Sequence, residues 1–69
     1  MKNETLIAAR KQSGKTQKQV AQEIGMSEIG YQSYGRGTRT PSAPTGNSIA
    51  KVLGTTSEKL FGYRLTNVF

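Results

Sequence analysis

Apolar positions in this chain fall into short, helix-spaced clusters separated by glycine. Over residues 4–13, ETLIAARKQS, high helix propensity combines with Leu6, Ala9 and Arg10 on one side. That pattern predicts a first helix, which Gly14 ends. In QKQVAQEI, Val20, Ala21 and Ile24 form the apolar stripe of a second helix. Thr16 marks its start, Gln19 completes a capping box, and Gly25 terminates it. Ser27 is a good N-cap, and Glu28 suits the positive end of a third helix, read as residues 28–34. GRGTRTPSAP reads as loop from its glycines and prolines. Ser42 or Ala43 opens a fourth helix, with Pro44 tolerated in its first turn. Ile49, Ala50, Val52 and Leu53 form its apolar side, and Gly54 ends it. A short fifth helix after Thr55 or Thr56 contains Leu60 and Phe61. In the tail YRLTNVF, Leu65, Val68 and Phe69 need burial, either on the same domain or in a dimer contact. With no strong strand pair and no internal repeat, the fold class is all-α: a compact five-helix domain over residues 1–62, followed by a tail over 63–69.

The second and third helices, joined by GMS, have the layout of a helix-turn-helix, in which the first helix braces a second that enters a DNA major groove. Stepping about 100° per residue along 28–34 separates two sides. Gly30, Tyr31 and Tyr34 share one, where Gly30 lets a neighbouring helix come close. Glu28, Ile29, Gln32 and Ser33 share the other, and these are the candidate base readers. Gln32 can pair with adenine, Ser33 with several base edges, Glu28 with the cytosine amino group, and Ile29 can touch a thymine methyl. Two structural alternatives stand beside this reading: Ile29 as the edge of the core, and Glu28 as a helix-dipole residue. Phosphate contacts position such a reader. Gln17, at the start of the bracing helix, can share a phosphate with free backbone N–H groups. Ser27 offers a hydroxyl, although capping alone explains it. Arg36, Thr38 and Arg39 follow the reader in a loop that Gly35 and Gly37 bring close to the backbone.

Charge strengthens the picture. The 69 residues carry a net charge of +6 and a pI near 10.1, which favours a polyanionic partner. Histidine, cysteine and aspartate are absent. Zinc ligation and nucleophilic triads are therefore excluded, and neither an enzyme nor a cofactor is expected. No apolar run approaches the roughly 20 residues of a membrane span. The lack of cysteine fits a reducing cytoplasm.

TQKQVAQEIGMSEIGYQSYGRGTRTPS followed by IAKVLGTTSEKLFG resembles the phage repressor and Cro group of XRE-type helix-turn-helix proteins. The Thr-Gln opening, the spacing of Ala21 and Gly25, the Tyr34-x-Arg-Gly exit and the Leu-Gly helix boundary occur in order and at family spacing. The resemblance implies a five-helix, lambda-repressor-like fold, used as a homodimer on a pseudo-palindromic operator in double-stranded DNA. It implies base contacts at Glu28, Ile29, Gln32 and Ser33, and phosphate contacts at Arg10, Gln17, Arg36 and Thr38. It also shows departures. Gly35 stands where many relatives have an acid that pairs with the arginine matching Arg10, so Arg10 must find Glu23, a carbonyl, solvent or DNA. Lys15 replaces an apolar staple residue. Gly46 and Asn47 replace apolar residues of the fourth helix, which implies a domain soft at that point. The expected function is a sequence-specific transcriptional regulator, a phage or mobile-element repressor or Cro-like switch. The alternative is a protein-interaction module on the same fold, an antitoxin or a modulator binding a second regulator protein.

Overall fold

A computed structural model describes residues 2–62. The dimer candidates Leu65, Val68 and Phe69, and the whole 63–69 tail, lie outside the described residues. Five helices follow in order: α1 Glu4–Ser13, α2 Gln17–Glu23, α3 Glu28–Arg36, α4 Ala43–Leu53 and α5 Ser57–Phe61. Among the described residues there is no strand.

Local chemistry sets most boundaries. The Thr16 hydroxyl accepts the Gln19 N–H at 3.0 Å, and the Gln19 side chain accepts the Thr16 N–H at 2.7 Å, closing the expected capping box. Such a cap contributes about 1 kcal/mol. Ser27 and Thr56 cap α3 and α5 in the same way, accepting from Gly30 and Lys59. At the end of α2 the Gly25 N–H donates to the Gln22 carbonyl and the Met26 N–H to that of Ala21. This paired closure needs a left-handed residue, and Gly25 supplies it at φ 74°.

Eight buried side chains make the core: Leu6, Val20, Ala21, Tyr31, Tyr34, Ile49, Ala50 and Leu60. They come from all five helices. Tyr34 packs edge-on between Tyr31, at 6.5 Å, and Phe61, at 6.4 Å. The inward side of α3 is thereby fixed to α5 as well as to its own neighbours.

Three expectations change. The third helix does not stop at residue 34: Gly35 and Arg36 continue it. Only Gly37 takes the left-handed conformation, at φ 78°, while Gly35 is a buried helical residue. Its carbonyl accepts the Asn3 N–H at 2.9 Å. Gly30 makes room for the turn and not for a neighbouring helix. A β-carbon there would meet Met26 Cε at 2.8 Å and Ser27 Oγ at 3.1 Å. Asn47, polar where an apolar residue was expected, has a partner: its side-chain oxygen accepts the buried Ser57 hydroxyl at 2.6 Å, joining α4 to α5.

Asn3 was not anticipated. Its side-chain oxygen caps α1 by accepting the Leu6 N–H, and its amide donates to the Leu60 carbonyl at 2.8 Å. Together with its backbone bond to Gly35, it ties α1 to the end of α3 and to α5.

Candidate nucleic-acid interface

The two sides of α3 differ as the helical projection requires. Tyr31 and Tyr34 are buried, at 1% and 5% exposure. Glu28 and Ile29 are exposed, and Gln32 and Ser33 are partly so. Ile29 is 74% exposed, which removes the core-edge alternative for it. An isoleucine left this open forgoes roughly 1.5–3 kcal/mol of burial in the monomer, a gain a bound partner can recover. Gln32 Nε2 lies 3.5 Å from Glu28 Oε2, a long contact that leaves both groups open to a ligand. The Ser33 hydroxyl donates to the Gly30 carbonyl at 2.6 Å, so outward it can only accept. Glu28 in the first turn of α3 and Arg36 in the last complement the helix dipole, so the structural reading of Glu28 holds alongside a base-reading one.

The candidate phosphate contacts surround this helix. Gln17 opens α2, partly buried. The Ser27 oxygen is occupied as a cap acceptor, and its proton remains for donation. Arg36 is exposed at the end of α3 rather than in a loop. Thr38 follows Gly37, and both its N–H and its hydroxyl donate to the Ser33 carbonyl, at 3.1 and 3.2 Å. The loop is thus folded against the end of α3. Arg39 rests its guanidinium 5.7 Å from the centre of the Tyr34 ring, a cation–π arrangement on an exposed residue.

Arg10 is differently placed. Of the partners open to it, it takes a carbonyl: Nη1 donates to Lys15 O at 2.7 Å, across the α1–α2 turn. Lys15 turns its ammonium to Glu23 instead, at 2.9 Å, and so substitutes an ion pair for the missing apolar staple. The Tyr31 hydroxyl lies on this inner side, buried and without a hydrogen-bond partner among the described residues. Burial pushes its pKa up, and the Arg10 charge pulls it partly back.

A recess of about 250 Å³ runs between α1, α2 and α3, lined by Lys2, Ile7, Gln17, Gln32, Gly35 and Arg36. It brings together one candidate reader and two candidate phosphate contacts. Lys2, which no sequence signal marked, is among them. A larger recess of about 720 Å³ lies between α1 and the α4–α5 turn, and no α3 residue lines it.

A helix-turn-helix family model matches residues 6–60. The chain belongs to the XRE-type helix-turn-helix family. The match runs from the buried Leu6 of α1 to the buried Leu60 of α5, so it spans the core and both helices of the motif. This helix-turn-helix protein is accordingly a DNA-binding transcription regulator at the coarse level that the family defines. Comparison with curated proteins and with solved structures found no match. Among its described residues no helix is long and apolar enough to cross a membrane.

Proposed function

We propose that the chain is a phage or mobile-element repressor or Cro-like switch protein that binds an operator as a homodimer. The observation that carries this reading is the open flank of α3, where Ile29 is 74% exposed beside Glu28, Gln32 and Ser33. In this mechanism α2 braces α3 in the major groove. Glu28, Ile29, Gln32 and Ser33 meet base edges, and Gln17, Ser27, Arg36, Thr38 and Arg39 take backbone phosphates, with Arg10 held at the α1–α2 turn. A dimer would set two such helices about 34 Å apart on one face of the duplex and exclude polymerase from the promoter. A regulator of a phage or mobile-element operator would work in the cytoplasm.

Selection of bound fragments from a random DNA pool, with sizing of the complex, tests this reading. The expected outcome is a pseudo-palindromic consensus bound by two chains. In a second arm, Gln32→Ala weakens binding to the selected site while sparing mixed-sequence DNA; equal loss on both would remove Gln32 from the reader. Binding that produces no consensus and is insensitive to salt would favour a protein-interaction module, since phosphate contacts weaken steeply as salt rises.

A further inference from the structure

We propose that Lys2 is a DNA-phosphate contact, and that it forms with Arg36 a two-cation cradle for the duplex backbone at the C-terminal end of the reading helix. The inference rests on the DNA-binding reading above and adds to it a residue outside the family match, which starts at residue 6.

Two chain segments far apart in sequence meet at this point. The Asn3 N–H donates to the Gly35 carbonyl at 2.9 Å, which fastens the start of the chain to the last turn of α3. Lys2 is the next residue back, and Arg36 is the next residue on from Gly35. Both are exposed, and both line the recess of about 250 Å³ together with Gln17 and Gln32. No acid lines that recess. Among the described residues the ion pair formed is that of Lys15 with Glu23, so neither Lys2 nor Arg36 is neutralised by one. Like charges gathered at one concavity repel unless an anion sits between them, and an anion there gains from both.

The lining also selects the ligand's chemistry. Gln17 adds a neutral amide donor, and Ile7 supplies an apolar wall. Lysine provides a mobile point charge, while the arginine guanidinium presents donors in a planar fork suited to phosphate oxygens. The group taken is a phosphate. The recess lies beside Gln32, a residue of the open flank, so the source favoured is the backbone of the same duplex whose bases that flank meets.

The test uses the full chain and a short mixed-sequence duplex, with affinity measured across a salt series for the wild type, Lys2→Ala, Lys2→Gln, Arg36→Ala and Lys51→Ala. Lys51 is an exposed lysine lining a different recess, with residues of α4 and α5, and controls for the loss of one positive charge. Lys2→Ala and Lys2→Gln should each flatten the salt slope by about one unit, which reduces the affinity change over a fourfold salt step by roughly 3.5-fold. Lys51→Ala should leave the slope as in wild type. A thermal melt of each variant checks folding; Lys2 is exposed, and two substitutions guard against one that perturbs the chain. Inorganic phosphate without DNA forms the other arm, read from the amide resonances of Gly35 and Arg36. Slopes for both Lys2 variants that match Lys51→Ala would overturn the inference, and so would a site that inorganic phosphate fills while the duplex ignores Lys2. If Arg36→Ala still flattened the slope, the DNA-binding reading would stand without Lys2. A wild-type chain that binds no duplex would instead defeat the reading beneath it.

Discussion

Tyr31 shows how a single atom separates the two sides of α3, the proposed reading helix. Its ring is among the largest fully buried side chains, yet its hydroxyl has no hydrogen-bond partner among the described residues. An unsatisfied buried hydroxyl contributes nothing and carries a desolvation penalty of about 1–3 kcal/mol. Tyr31→Phe is therefore expected to fold with stability equal to or above wild type, measured by denaturant unfolding. A clear loss would reveal a partner for the hydroxyl. The same burial raises the phenol pKa above its ordinary value of 10.0. The neutral phenol is thus the form the fold favours. Stability is therefore unaltered below the unfolded value and falls as pH climbs from there through the folded one. Alkaline melts should show wild-type stability falling above about pH 10 more steeply than that of Tyr31→Phe. On the open side, Ile29→Ala should weaken binding to the selected operator while leaving stability within about 0.5 kcal/mol, because the residue is mostly exposed in the monomer. Unaltered operator affinity would take Ile29 out of base reading.

Elements repeat the lesson at a longer range. The caps at Thr16 and Ser27 were legible because donor and acceptor lie three residues apart, within reach of a reading along the chain, while the choice between Thr55 and Thr56 for α5 was left open until the Thr56 oxygen was seen to accept the Lys59 N–H. The two-sidedness of α3 was legible because helical geometry follows from spacing alone. The end of α3 was not. Gly35 and Gly37 are the same residue type two positions apart, and only backbone angles reveal which one turns the chain. Asn3 and Lys2 were invisible for another reason: Asn3 bonds Gly35 and Leu60, and Lys2 meets Arg36 in the recess, each more than thirty residues away and without a periodic trace. The corrected helix end has a measurable result. A β-carbon at Gly35 would meet nothing within 4 Å, and the backbone there is helical. Gly35→Ala should stabilise the domain by about 0.5–1 kcal/mol, read as a rise in melting temperature. A lower melting temperature would mean that the carbonyl bond to Asn3 had been disturbed.

At the scale of the molecule, a small core leaves little margin. Ile49 is fully buried, and its truncation to alanine typically removes 2–5 kcal/mol. A domain of this size holds only about 5 kcal/mol in total. Ile49→Ala should therefore keep no more than about 3 kcal/mol and melt far below wild type in far-ultraviolet circular dichroism; a cooperative melt near that of wild type would show that other contacts, beyond the described core, carry the fold. Asn3 imposes a different condition. Its amide bonds the carbonyl of Leu60, fifty-seven positions along the chain. During synthesis, a nascent polypeptide that has emerged only as far as α3 already holds every proposed base-reading side chain, but lacks the clasp that links its first residues to α5. Completion of the described fold thus waits until α5 has been synthesised, because Leu60 supplies both a core side chain and the carbonyl that Asn3 holds.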